Sequence, residues 1–183
     1  MSTSRGASSG LRLTTRSSGE SSDVTIRPVT LDDLEVLIDI YLDTARHHAT
    51  IDPEVFHLPD RDAIAARLRR RIEGRGETGE YVAAMIGDVM VGSASVDVAD
   101  PPSPGNMARA VPTAEFGVSV VEGYRGHGIG KALIDHLERW AAEHGIDRMI
   151  LTVSEANEGA IRLYHALGYR DFDRMMLKSL TRQ

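Results

Sequence analysis

The sequence predicts a single mixed α/β domain, and three observations lead to this fold class. The chain has 183 residues, of which 42% are hydrophobic and 26% charged, which suits one compact domain. From residue 23 onward, segments with strand character alternate with amphipathic helical segments. A hairpin pattern lies near the centre of this series, so the sheet is expected to contain antiparallel strands. We therefore expect residues 23–183 to form one domain.

Composition excludes several classes of protein. The net charge is −6, from 27 acidic and 21 basic residues, which argues against binding to nucleic acid. The chain has no cysteine, which removes disulfides, thiolate metal sites and a cysteine nucleophile. No apolar run approaches the roughly 20 residues of a membrane-spanning helix. Residues 1–22 are rich in Ser, Gly, Thr and Arg, so we expect a disordered tail without a signal peptide and a cytoplasmic protein.

The first half of the domain is predicted from periodicity and breakers. A short strand runs to Pro28, and Thr30 caps a helix with apolar residues at helical spacing. The segment from His47 to Pro59 holds two prolines and is expected to be a loop. Asp60 then caps a second helix, which carries Ile64, Leu68 and Ile72 on one face. The predicted elements are a strand at 24–27, a helix from 31, and a helix at 61–73.

The second half begins with a predicted hairpin. Two strands, 81–86 and 89–98, flank Gly87-Asp88, a favourable pair for a tight antiparallel turn. The segment 99–112 holds four prolines and is expected to be an irregular loop that contacts substrate. The remaining predicted elements are strand 113–121, helix 128–143, strand 149–153, helix 157–167 and a closing strand segment, 169–180.

The segment from Glu115 to Leu133 carries the clearest chemical signal. A strand runs into the glycine-rich loop RGHGIG, residues 125–130, and then directly into an amphipathic helix. Glycines let backbone N–H groups turn toward one point, and a helix start adds unsatisfied donors and the positive end of its dipole. This suits a phosphate or pyrophosphate, with Arg125, His127 and Lys131 adding positive character. The loop fits neither the P-loop pattern nor a dinucleotide-binding fold, and a tight turn without a ligand is the plain alternative.

At these residues the sequence resembles the GCN5-related N-acetyltransferase (GNAT) superfamily. Its acyl-CoA signature, R/Q-x-x-G-x-G/A, is matched by Arg125, Gly128 and Gly130. A second signature, N-x-x-A-x-x-L-Y-x-x-x-G-F/Y, is matched in NEGAIRLYHALGY by Asn157, Ala160, Leu163, Tyr164, Gly168 and Tyr169. The resemblance spans about residues 24–180 and is specific over 113–169.

The resemblance implies a fold and a co-substrate. The fold is a central, mostly antiparallel sheet of six to seven strands that splays in the middle, flanked by about four helices. Acetyl-CoA would enter the gap, and its pantetheine amides would pair with the backbone of Val118, Ser119 and Val120 as an added strand. Asn157 would hydrogen-bond the pantetheine arm, and Tyr164 would lie beside the sulfur. The amides that would hold the pyrophosphate are those of Arg125, Gly126, His127, Gly128, Ile129, Gly130 and Lys131.

An amine that attacks a thioester needs three protein functions, and the sequence offers a candidate for each. The backbone N–H of Val118 would polarise the carbonyl. Tyr164, ordinarily protonated at neutral pH, would give a proton to the departing thiolate. Glu115, at the substrate end of the strand, would take the proton of the amine directly or through water.

Each side-chain role has a structural alternative. Tyr164 can be a core aromatic, Asn157 can be a helix N-cap, and Glu115 can be a solvated carboxylate beside a water network that acts as base. The histidines near residue 50 do not converge, so no metal is expected. The arginines at 67 and 69–71 are interpreted as a solvated helix face that borders the acceptor channel.

The sequence therefore predicts an acetyl-CoA-dependent N-acetyltransferase that works through a ternary complex, because there is no cysteine to carry the acetyl group. The expected acceptor is a primary amine on a small molecule, peptide or protein. The alternative function is a non-catalytic regulatory module that binds acyl-CoA, since a fold and a bound ligand do not establish turnover. A donor longer than acetyl stays open. Neither nucleic acid nor membrane is an expected partner, and a homodimer is one option because dimers are common in the superfamily.

Overall fold

The computed structural model describes residues 24–74, 78–103, 106–107, 109–178 and 180. The chain divides between Thr152 and Val153 into two compact units. The predicted disordered tail, residues 1–22, lies outside the described residues, and the prediction of one domain over 23–183 stays a prediction. Among the described residues, no helix has the length and apolar character that crossing a bilayer requires.

Within the described residues, the first unit contains a five-stranded sheet and three α-helices, and the second contains one α-helix. The sheet order is β1-β2-β3-β4-β5, with β1 to β4 antiparallel and β5 parallel to β4. Two short 3-10 turns, Leu31–Asp33 and Glu122–Tyr124, precede α1 and follow β4. The elements are β1 Val24–Pro28, α1 Leu34–Ile51, α2 Arg61–Glu73, β2 Gly79–Ile86, β3 Val89–Val98, β4 Thr113–Val120, α3 Ile129–Glu143, β5 Arg148–Ile150 and α4 Glu158–Ala166.

The sheet splays between β4 and β5. The two strands pair only from Thr113 opposite Arg148 to Glu115 opposite Ile150. In contrast, β4 stays paired with β3 as far as Val120. Beyond Glu115, no described strand pairs with the far edge of β4. This confirms the mixed, mostly antiparallel and splayed sheet that the sequence predicts.

Apolar residues cover both faces of the sheet. One core cluster joins α1 and α2 to the β2 residues Tyr81 and Ala83. Successive strand residues face opposite sides, so Val82 and Ala84, which are fully buried, face the other way. On α3, the helical periodicity predicts Ile129, Leu133, Leu137 and Trp140 on the buried stripe. The first three are fully buried, whereas Trp140 is only partly buried.

Of the two predicted helix caps, Asp60 caps α2, whereas Thr30 caps the 3-10 turn Leu31–Asp33 rather than α1 itself. Asp60 accepts hydrogen bonds from the amides of Asp62 and Ala63, both at 3.0 Å, so α2 begins where the sequence predicts. The helix α1 does not end before His47 as expected, because it continues to Ile51. The prediction of a loop from His47 was wrong there. Pro53 cannot continue a helix, and the residues before it still complete backbone bonds such as Asp52 N to His48 O at 2.9 Å.

The strand count is lower than the six to seven strands expected. The closing strand segment, 169–180, contains no strand among its described residues. This segment alternates charged residues with apolar ones, and Phe172 and Met175 are exposed rather than buried. Its charges pair locally within the second unit, as in Asp171 with His165 at 3.1 Å and Arg174 with Glu155 at 3.5 Å. The described sheet therefore ends at β5.

Candidate functional site

From Val118 onward, no described strand pairs with the edge of β4 that faces away from β3, and this edge presents the backbone of Val118. The amide of Val121 donates to Val91 O at 3.0 Å, and that of Ala99 donates to Thr113 O at 2.8 Å. These bonds set the odd-numbered residues of β4 toward β3. Strand alternation then turns the N–H and C=O groups of the even-numbered residues, including Val118, toward the opposite edge. This edge has the donors and acceptors that an added strand would need.

The glycine-rich loop joins this strand to α3 with two left-handed residues. Gly126 has φ +78° and Gly128 has φ +81°, a region that other residues enter only with strain. A Cβ on either glycine would meet no atom within 4 Å, so both face open space. Tight packing therefore does not explain these glycines. Their left-handed backbone conformation explains them, and the open space beside them leaves room for a ligand.

The loop presents amides at the start of α3. The first backbone bond of the helix runs from Ala132 N to Gly128 O at 3.0 Å. The amides of Ile129, Gly130 and Lys131 precede it and have no acceptor inside the helix. Free amides at the positive end of a helix dipole form a site for an anion, and the residues here fit a pyrophosphate.

The side chain of Arg125 connects the loop to the end of β4 and to α1. Its Nε donates to Val120 O at 2.9 Å, and its Nη2 donates to Asp43 Oδ2, also at 2.9 Å. Asp43 Oδ2 also accepts from the amide of Glu122 at 3.2 Å, which ties α1 to the turn after β4. The two side chains are 31% and 25% exposed, so water screens this ion pair only in part. Sequence reasoning missed Asp43, because nothing local marks a partner 82 positions away.

The side chains of the loop supply less positive charge than the sequence suggests. Arg125 is paired with Asp43, and Lys131 is paired with Asp135 at 2.6 Å. His127 Nδ1 lies 2.9 Å from Arg125 O and is exposed. The capacity of this loop to bind an anion therefore comes mainly from its backbone.

A cavity of about 330 Å³ lies beside the first half of β4, where Glu115 is exposed. Arg71 pairs with Asp97 beside it and is partly buried, and burial lowers the pKa of its guanidinium. Arg71 is thus not part of a solvated face, although Arg67 is exposed and contacts Tyr41 Oη at 3.0 Å. The cavity is lined by Arg71, Ser95, Asp97, Val98, Ala99, Glu115, Phe116 and Gly117.

The second unit holds the other two candidates on α4. Asn157 Oδ1 accepts from the amide of Ala160 at 3.2 Å, so Asn157 is a helix N-cap. Tyr164 packs edge-on against Tyr169, with ring centroids 5.9 Å apart. Burial raises the pKa of Tyr164, which keeps the phenol protonated at neutral pH. Glu115 and Tyr164 therefore lie in different compact units.

The histidines near residue 50 form no metal site within the described ranges. His47 and His48 lie on α1, and His48 packs against Phe56 with ring centroids 5.0 Å apart. Burial is the main cause that lowers the pKa of His48. In the described part of the chain, no three acidic or histidine side chains gather closely enough to hold a metal ion.

Sequence comparison identifies relatives of the chain. The profile of the acetyltransferase (GNAT) family matches residues 37–169. N-acetyltransferase 8 of Rattus norvegicus is 28% identical over 104 residues, which are 57% of this chain and 45% of that protein. N-acetyltransferase 8F1 of Rattus norvegicus is 32% identical over 93 residues, which are 50% of this chain and 40% of that protein. The matched regions span less than half of these relatives.

Solved structures share the fold. A mutant of the BH1408 protein from Bacillus halodurans superposes with a TM-score of 0.76 at 21% identity, covering 85% of this chain and 99% of that one. The aminoglycoside N-acetyltransferase AAC(6')-Iy, solved with CoA, superposes with a TM-score of 0.64 at 21% identity, covering 88% of this chain and 97% of that one. At these identities the likeness concerns the fold.

Proposed function

Because the chain belongs to the acetyltransferase (GNAT) family, we propose that it transfers the acetyl group of acetyl-CoA to the nitrogen of a primary amine. The observation that carries this proposal is the edge of β4 from Val118 onward, with which no described strand pairs and which is followed by the amide-rich start of α3. The names of the curated relatives and the CoA bound to the aminoglycoside N-acetyltransferase support the same chemistry.

Two backbone surfaces together would supply the affinity for acetyl-CoA. The helix dipole contributes about 0.3 to 1 kcal/mol per charge, whereas micromolar binding needs about 8 kcal/mol. The loop amides of 126–131 therefore hold the pyrophosphate only with help from the strand. The amide of Arg125, expected to join them, donates to Glu122 O at 3.2 Å. The backbone groups of Val118 and Val120 pair with the pantetheine amides, and Asn157 adds a hydrogen bond to the same arm. Ser119 was expected to join them, but its N–H and C=O face β3.

The chain supplies three functions to the transfer. Acetyl-CoA brings the activated thioester, and in the reaction a C–N bond forms as the C–S bond breaks. The N–H of Val118 donates to the thioester oxygen, an interaction of a type that is worth roughly 10² to 10³ in rate. Glu115 takes the proton released by the amine, and Tyr164 gives its proton to the departing sulfur. The proposal treats residues 23–183 as one functional domain, since these groups come from both compact units.

The burial of Tyr164 supports its role as the acid. A phenol with a raised pKa stays protonated at neutral pH and can donate to a thiolate, which the reaction generates. Asn157 retains its role as a helix cap while its remaining amide hydrogens stay available to a ligand. The absence of cysteine favours direct attack over an enzyme-bound acetyl group.

A thiol-release assay with acetyl-CoA and a broad panel of amines tests the function. We expect release of CoA to accelerate with at least one amine and to depend on the concentration of both substrates. Calorimetry with CoA on the same material measures binding separately. Binding of CoA without accelerated release under any amine would instead support the regulatory module as the function.

A further inference from the structure

The cavity beside β4 carries three charged side chains in a small space. Asp97 on β3 and Glu115 on β4 are directly opposite each other in the register of the sheet, so both carboxylates lie on one face. Arg71 reaches this face from α2 and forms an ion pair with Asp97. All three residues line the cavity of about 330 Å³.

The arrangement assigns different tasks to the two carboxylates. Like charges directly opposite in a sheet repel, and Arg71 offsets that repulsion. Its contact with Asp97 neutralises one of the two carboxylates, and its charge also acts on Glu115 over a longer distance. Glu115 keeps an exposed carboxylate with no ion pair among the described residues. The cavity therefore has one negative charge in excess.

This excess charge limits which acceptors the cavity can take. A partly enclosed site disfavours uncompensated charge, so a ligand with one positive charge is the best match. A zwitterionic amino acid would leave the cavity negative, and a diamine would leave it positive. Gly117 lies on the same face and adds no side chain that would narrow the cavity, and the volume suits a small ligand.

We propose that the cavity selects a small primary amine with a single positive charge and no carboxylate, bound at Glu115, because the Arg71–Asp97 pair is neutral and leaves the charge of Glu115 uncompensated. This inference rests on the proposed function for its site and goes beyond it by naming the acceptor class. Arg71 and Asp97 are specificity-determining residues rather than members of the reacting group. The acceptor amine binds as an ammonium beside Glu115 and loses its proton there.

Three acceptors of equal chain length and different charge test the inference. They are 4-aminobutanoate, butylamine and 1,4-diaminobutane, with net charges of 0, +1 and +2 at neutral pH. Calorimetry on the full chain saturated with CoA measures the affinity for each amine without requiring turnover. A parallel assay with acetyl-CoA measures kcat/KM for the same three compounds. Each ratio compares two acceptors on the same protein preparation, so a loss of folded protein affects both values equally and cancels.

Variants then shift the charge of the cavity by single steps. Arg71→Gln removes a positive charge, so the excess rises to two negative charges and the preference should move toward the diamine. Asp97→Asn removes a negative charge, so the cavity becomes neutral and the preference should move toward the amino acid. The double variant Arg71→Gln/Asp97→Asn restores the original excess and should restore the preference for butylamine. Each single step is expected to change the affinity ratio by about tenfold.

Arg69→Gln is the matched control, because Arg69 lies on the same helix, is exposed and does not line the cavity. Its acceptor ratios should equal those of the unaltered chain. Ratios that stay constant across all variants, or a double variant that fails to return to butylamine, would overturn the inference. Charge-ordered binding without acetyl transfer would support the inference while refuting the proposed function, so the two failures are distinct.

Discussion

Alanine at Gly128 and alanine at Gly145 form a matched pair that separates backbone strain from ligand binding. Gly128 has φ +81° at the start of α3, and Gly145 has φ +70° just after its end. In both places a Cβ would meet no atom within 4 Å, so steric clash does not differ between them. The 15 residues of α3 separate the two sites by about 22 Å, at about 1.5 Å per residue.

The two variants should lose similar stability. A non-glycine residue in the left-handed region costs about 1 to 2 kcal/mol. For a chain of this size, that loss lowers the Tm by about 2 to 8 °C. Thermal unfolding followed by circular dichroism, in the absence of CoA, measures this part of the prediction.

Only Gly128→Ala should affect CoA. The strained residue turns the amides at the start of α3 away from one another, and its methyl group occupies the open space that they face. We expect the Kd for CoA to rise at least about tenfold, while Gly145→Ala keeps the original Kd within about twofold. Isothermal calorimetry on both folded variants gives the comparison. Equal affinities in the two variants, at matched losses of Tm, would refute the assignment of the loop.

Three further predictions concern other parts of the chain. Tyr164→Phe should lower kcat by about 10² or less and leave the Kd for CoA nearly unchanged, because it removes only a proton donor; an equal loss in both quantities would contradict this. Asp43→Asn should weaken CoA binding severalfold, and a double-mutant cycle with Arg125→Gln should give a coupling of about 1 kcal/mol in the free energy of unfolding; additive losses would show that the pair does not hold the loop. Arg27 is the main cause that lowers the pKa of Asp33 to about 2. The carboxylate therefore stabilises the fold at neutral pH by about 2 kcal/mol, and this contribution is lost as the pH falls from about 4 through 2. Asp33→Asn should lose that amount at pH 7 and show a flatter acid limb in denaturant titrations, whereas an unchanged acid limb would contradict the ion-pair account.

The sequence predicted those features that depend on interactions between residues adjacent in the chain. The Asp60 cap and the Gly87-Asp88 turn each involve neighbouring residues, and both lie where the sequence predicts them. The end of α1 was predicted too early because the polar residues after Ala45 suggested a loop. Helical backbone bonds continue through them until Pro53 approaches.

Contacts between residues far apart in the chain could not be predicted from the sequence. Arg125 was recognised through its signature, but its partner Asp43 lies on a helix 82 positions earlier. Arg71 was interpreted as solvated with its neighbours, because only the register of β3 and β4 brings Asp97 and Glu115 under α2. The closing strand segment, 169–180, was predicted from the local pattern of the chain, and its described residues do not form a strand.

Hydrogen exchange of the backbone amides, with and without CoA, tests the central claim most directly. The account predicts slower exchange on CoA binding at Val118 and across the loop amides of 126–131, because each would donate to the ligand. The exchange rate of the neighbouring amide, that of Ser119, should change little because this amide already faces β3, so it serves as the internal reference. Saturating CoA that protects other segments and leaves Val118 and the loop unchanged would contradict the account.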